Sequence, residues 1–139
     1  MPTGTAAPLP PSRQDPRQVT NTLKKTVNWN DPDIANGVPF ANSFPAGAFI
    51  LQCLVEVITT FNGTGPALTV GTVGTAYNNM IAAGDVDETT AAVTSVTRPL
   101  GRSLTAAGPV TPYAKLAVTG SPTQGQAVVT FVFEGGWAS

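Results

Sequence analysis

The residues able to do chemistry in this 139-residue chain are few. There is no histidine, which removes the usual general base, the commonest zinc ligand and the serine–histidine and cysteine–histidine nucleophile pairs. Serine and threonine are plentiful but have no base to activate them. Cys53 is the single cysteine, inside an apolar run, and is read as a small buried hydrophobe. Asp85, Asp87 and Glu88 form a short acidic run after Gly84. Calcium would need six to eight oxygens, and the glycine and closing glutamate of a calcium-binding loop are misplaced here, so the run is read as a solvated loop. No phosphate-cradling loop is present, because the Gly71–Gly74 stretch is followed by no lysine. The Asn62-Gly63-Thr64 sequon is read as a turn. Catalysis, a metal and a cofactor are therefore not expected, nor is a small-molecule substrate.

Composition points to a scaffold. Charged residues make up 11% of the chain, against about 25% in an ordinary soluble domain. Fourteen glycines and 13 prolines punctuate segments rich in threonine, valine and alanine. The net charge of −1 is unevenly spread: residues 1–25 hold Arg13, Arg17, Lys24 and Lys25 against Asp15, and the remainder holds three bases against seven acids. Four bases are too few to predict nucleic-acid binding. Residues 1–16 lack the apolar run of a secretory signal, and no window reaches the roughly 18 apolar residues of a membrane span. The chain is accordingly expected to be made in a cytosol and to stay soluble there, with no membrane partner.

Two regions follow. Residues 1–25 carry five of the prolines and few large apolar side chains, too few to offset their ordering entropy, and are expected to form a flexible, extended basic arm that orders on a partner. Residues 26–139 alternate in the manner of strands. A short first strand is expected over 26–29 and a small extended piece over 38–40. The dominant strand spans 48–61, with Phe49, Leu51, Cys53, Val55, Val57, Thr59 and Phe61 on one nearly all-apolar face and Ile50, Gln52, Leu54, Glu56, Ile58 and Thr60 on the other. Fourteen residues is long for a strand, so a bulge or bend is expected within it. Asn62-Gly63 signals a hairpin returning through 68–73. Residues 76–83 form the one helix-like stretch, about two turns ended by Gly84. Strands are expected over 90–97, 113–119 and 127–133; in the last, Ala127, Val129, Phe131 and Phe133 share one face while Val128 and Val132 make the other partly apolar. The fold class is all-β, a β-sandwich or jelly-roll-like barrel with one short helix and an extended N-terminal arm.

Two segments then resemble a known family. They are PAGAFILQCLVEVITTFNGTGPALTVGT at 45–72 and YAKLAVTGSPTQGQAVVTFVF at 113–133. In order and layout these are similar to the small capsid decoration, or cement, proteins of tailed bacteriophages; the basic proline-rich arm is not part of that pattern. The resemblance implies a β-sandwich on the outer surface of a phage head, commonly a homotrimer, whose partner is the major capsid protein and whose role is to bridge capsid subunits. Alternatives are a head fibre or tail-associated attachment or carbohydrate-binding module, or a neck protein. Candidate partner-contact residues are Arg13, Arg17, Lys24 and Lys25 of the arm, Arg98 and Arg102 around Pro99 and Gly101, and the aromatics Trp29 and Trp137, with Tyr113 as a further aromatic candidate.

Overall fold

A computed structural model describes residues 20–96 and 109–135. Seven strands form two antiparallel sheets: β1 (Thr20–Asn28), β2 (Val38–Pro39), β3 (Ala48–Thr59), β4 (Thr64–Gly71), β5 (Val93–Val96), β6 (Tyr113–Thr119) and β7 (Gln126–Gly135). One sheet has the order β1-β7-β3-β5 and the other β2-β6-β4. The all-β expectation holds, and β6 and β7 fall where the alternation put them.

Side chains from both sheets feed one core. β3 contributes Cys53, Val55 and Val57, β7 contributes Ala127, Val129 and Phe131, and the three-stranded sheet contributes Leu68, Val70, Ala114 and Leu116. Phe40 and Phe44, in the segment after β2, pack onto the four-stranded sheet. The Phe44 ring meets Phe131 edge-on at 5.4 Å and Phe133 at 5.2 Å between centroids, and Phe40 lies 5.9 Å from Phe131. Edge-to-face contacts of this kind add about 0.5–1.5 kcal/mol each beyond area burial.

The expected irregularity in β3 lies between Ile50 and Gln52, which pair with the consecutive residues Phe133 and Val132 of β7. Leu51 is the extra residue. Because side chains alternate with period two, one inserted residue exchanges the faces. Ala48 and Ile50 are buried before the bulge, and Cys53, Val55 and Val57 after it. The single continuous apolar face expected for this strand is thus corrected: Phe49 and Leu51 are 46% and 47% exposed.

Four further corrections concern local structure. β1 begins at Thr20, so residues 20–25 of the expected arm are ordered as a strand whose Leu23 opposes Phe131 and whose Val27 opposes Ala127. Residues 1–19 lie outside the described residues. The Asn62-Gly63 turn does not return the chain beside β3; β4 crosses to the other sheet and pairs with β6. Asn62 instead ties this corner to the 120–125 turn, its Oδ1 accepting from the Thr123 N–H at 2.8 Å and the Gln124 N–H at 3.2 Å. The expected helix over 76–83 is absent: Tyr77 takes φ 46°, Ile81 forms an antiparallel bridge to Val70, and Met80 and Ile81 are buried in the core. A two-turn helix is marginal by itself, and burying these two side chains while pairing the β4 backbone outweighs it. The strand expected over 90–97 contracts to the four residues of β5.

Two measurements follow from this core. Phe131→Ala is expected to lower unfolding free energy by about 3–5 kcal/mol, and Phe49→Ala by under about 1 kcal/mol, in urea titrations. Burial, with a smaller effect of the Asp85 charge, pushes the Cys53 thiol up to about 12. At pH 8 the folded chain should therefore resist thiol reagents and react fully once unfolded in guanidinium.

Candidate interaction surface

The four-stranded sheet has two unlike faces. Its inner face is the core described above. Its outer face carries Phe49 and Leu54 from β3, Val93 from β5, and Val128 and Val132 from β7. Register brings them together: Glu56 stands between Val93 and Val128, Leu54 between Ser95 and Thr130, and Phe49 opposite Glu134. Leu51 and Ile58, 47% and 48% exposed, flank the row at the two irregularities of β3. Lys24 of β1 opposes Thr130 and adds one positive charge to a face otherwise marked by Glu56 and Glu134. Among the described residues no element covers this face. Clustered exposed apolar side chains with a polar rim mark association surfaces.

The sequence-based candidates divide. Lys24 lies on this outer face and is exposed. Lys25 does not: it shares the inner side with Leu23 and Val27 and is half-buried opposite Val129. An inward lysine on an edge strand discourages edge-to-edge pairing, a structural task. Trp29 follows β1, packs partly against the core, and lines a shallow cleft at the far end of the sheet. Tyr113 stacks on Tyr77 with centroids 4.6 Å apart and rings 12° from parallel, so it is engaged within the molecule. Arg13, Arg17, Arg98, Arg102 and Trp137 lie outside the described residues. Sequence reasoning missed Phe49 and Leu51, which it placed inside. The signal that bore on them was the excessive length of the β3 run, but length does not locate the bulge.

The acidic run does three separate structural jobs. Asp85 Oδ2 accepts from the Ala82 N–H at 2.8 Å. Asp87 accepts from the Thr89 and Thr90 hydroxyls at 2.6 and 2.8 Å and from the Thr89 N–H at 3.0 Å, and these bonds hold its carboxyl below the usual range. Glu88 is buried, and its Oε2 accepts from the Leu68 N–H at 2.9 Å. That bond belongs to a series along the outer edge of β4. The Val70 N–H donates to the Ile81 carbonyl at 3.0 Å and the Thr72 N–H to Asn79 Oδ1 at 2.8 Å. The 72–90 segment therefore seals an edge that would otherwise present a row of free donors. Among the described residues, no three histidine, cysteine, aspartate or glutamate side chains group as a metal site.

Comparison with known proteins places this architecture. No family model and no curated protein matches the sequence. Two solved structures share the fold. One is a chain of the Cyanophage Pam1 capsid asymmetric unit, 18% identical, with a TM-score of 0.58 over 83% of this chain and 84% of that one. The other is a chain of the acid-stable capsid structure of Helicobacter pylori bacteriophage KHP30, also 18% identical, with a TM-score of 0.60 over 86% and 90%. The two-sheet fold is thus one that occurs in bacteriophage capsids.

Glu88 gives a test of the edge seal. Burial raises its carboxyl above the ordinary value of 4.5, the Leu68 and Glu88 backbone N–H groups pull it down, and the Asp87 charge raises it further. A carboxyl raised on folding binds its proton more tightly in the folded chain. Its contribution is therefore fully present below pH 4.5 and is lost as pH rises through the raised value. Glu88→Ala, which orphans the Leu68 N–H, should cost about 1–3 kcal/mol at acid pH. Glu88→Gln keeps an acceptor, and the stability advantage of the native chain over it should shrink as pH rises toward neutrality in denaturant titrations.

Proposed function

We propose that this chain is a virion structural protein that binds the outer surface of a phage head and stabilises it by bridging capsid subunits, as a decoration or cement protein. The observation that carries the reading is the cluster of apolar side chains on the outer face of the four-stranded sheet, which no described element covers, on a fold shared with chains of two phage capsids. The resemblance of residues 45–72 and 113–133 to cement proteins supports it independently. We read the paired sheets as a β-sandwich and the assembled form as a homotrimer, with the major capsid protein as partner.

The physics of such a role is simple. A protein that binds the assembled shell and not its dissociated subunits stabilises the shell by mass action. The face built on Phe49, Leu54, Val128 and Val132 supplies apolar area, while Glu56, Glu134 and Lys24 set its orientation. Three copies on one symmetric unit would raise the effective affinity of each contact. The basic arm, with Arg13 and Arg17, would lie along a neighbouring subunit, adding contact at the cost of its ordering entropy. Arg98, Arg102 and Trp137 belong to the same contact proposal. No reaction is part of this role.

The test is binding to purified heads that lack this chain, followed by sedimentation and by the temperature at which heads release their contents. Leu54→Asp with Val128→Asp is expected to weaken binding at least about 100-fold, roughly 2.8 kcal/mol, and to abolish the gain in head stability while leaving the isolated fold intact. Removal of residues 1–19 should weaken binding further without changing the unfolding midpoint. Light scattering should give the mass of a trimer. Unaltered head binding by the double variant overturns this reading, and a ring of six or twelve copies would transfer the protein to the neck.

A further inference from the structure

The shallow cleft at the end of the four-stranded sheet has a chemistry unlike the apolar face. Its volume is about 250 Å³, just under the small end of ligand-sized clefts, which run from about 300 to 1,000 Å³. Its walls are Trp29 together with Asn28, Thr59, Thr123, Gln124 and Gln126, with Gly125 in the floor, and none of them is charged. The two glutamine side chains are held in place. Gln124 Nε2 donates to the Thr60 carbonyl at 3.0 Å and to the Thr60 hydroxyl at 3.2 Å. Gln126 Nε2 donates to Asn28 Oδ1 at 3.0 Å. Asn28 is itself oriented by Asp31, whose Oδ1 accepts from Asn28 Nδ2 at 3.4 Å while its Oδ2 accepts from the Asn28 N–H at 2.8 Å. The backbone of Trp29 is anchored by its N–H to the Gly125 carbonyl at 3.0 Å. Gly125 cannot be replaced cheaply: its φ is 147° and an added Cβ would collide with the Phe61 ring.

With their amide nitrogens so engaged, Gln124 and Gln126 keep their Oε1 atoms as acceptors. Trp29 Nε1–H and the Thr59 hydroxyl make no hydrogen bond to other described residues. The cleft therefore combines fixed neutral acceptors, neutral donors and one aromatic side chain. No opposite charge in these walls offsets the desolvation of an anion or cation. An apolar segment would strand the amides without partners. A ring that carries hydroxyls on its rim matches these walls, since each hydroxyl both donates and accepts. We infer that this cleft is a binding site for a neutral saccharide. Because the glutamines are already held, little side-chain entropy is lost on binding. The cleft shares no residue with the apolar face but adjoins it, because Asn28, Thr59 and Gln126 stand on the same side of the sheet as Val128.

The test is proton–nitrogen NMR of the full chain titrated with maltotriose, cellotriose and tri-N-acetylchitotriose, with a sulfated trisaccharide as the charged control. Trp137→Phe assigns the Trp29 indole resonance. The expected result is a saturable shift of the Trp29 indole N–H and the Gln124 and Gln126 side-chain amides with at least one neutral probe. Half-saturation should fall near 1 mM. Gln126→Ala should weaken that binding about five- to tenfold with its unfolding midpoint within error of the native chain, and Trp29→Ala should abolish it. Three results would overturn the inference. One is the absence of a saturable shift with every neutral probe up to about 20 mM. The second is equal or tighter binding of the sulfated control. The third is movement of the cleft resonances on dilution, or on removal of residues 1–19, without sugar, which would assign the cleft to a protein segment.

Discussion

Between Ile50 and Gln52 the long strand β3 carries one residue more than its partner β7, and the inward and outward sets of side chains exchange there. Most of the molecule's character depends on this exchange. It lets Ile50 join the core beside the Phe44, Phe131 and Phe133 rings while Cys53, Val55 and Val57 serve the other half of the same core. It also turns Phe49 and Leu51 outward, next to Leu54, Val128 and Val132. An uninterrupted strand would bury either Phe49 and Leu51 or Ile50, but not the set seen, since period-two alternation has no other way to change face.

The second constraint is the control of sheet edges. An all-β chain must keep its unpaired donors from recruiting other strands. β5 is four residues long. β1 sets Lys25 inward opposite Val129. β4 is sealed by Glu88, Ile81 and Asn79, which take the N–H groups of Leu68, Val70 and Thr72 in turn. The acidic run, expected to be a solvated loop, is thereby corrected in part, because Glu88 is buried. Buried Glu88 acts as a substitute strand partner, and Asp85 and Asp87 shape the turns that bring it there.

The surface then offers two regions of different nature. The outer face of the four-stranded sheet carries a cluster of apolar side chains among threonines, Gln52, Glu56 and Glu134, and suits association with protein. The cleft beside Trp29 is small, neutral and lined by fixed amides. The two regions adjoin on one side of the sheet, where Gln126 of the cleft follows Val128 of the apolar cluster along β7. The fold itself is shared with chains of two phage capsids.

Much of this was legible in the residue order. The all-β class, the positions of β6 and β7 and the inward row Ala127, Val129, Phe131 and Phe133 follow from alternation and turn residues, because these depend on local backbone geometry, and the presence of a bulge in β3 follows from the length of its run. Tertiary structure alone decided where the bulge falls, since neighbouring registers of an apolar run differ only in how they meet β7. It also decided that the chain crosses sheets after Asn62-Gly63, because the best partner for β4 is β6, about 50 residues away. It replaced the helix expected over 76–83 with an edge seal, because burying Met80 and Ile81 and pairing with Val70 is worth more than two turns of local hydrogen bonds. Local patterns set which segments form strands; the competition for partners and for a single core set how those strands meet, and with them which residues the molecule presents to others.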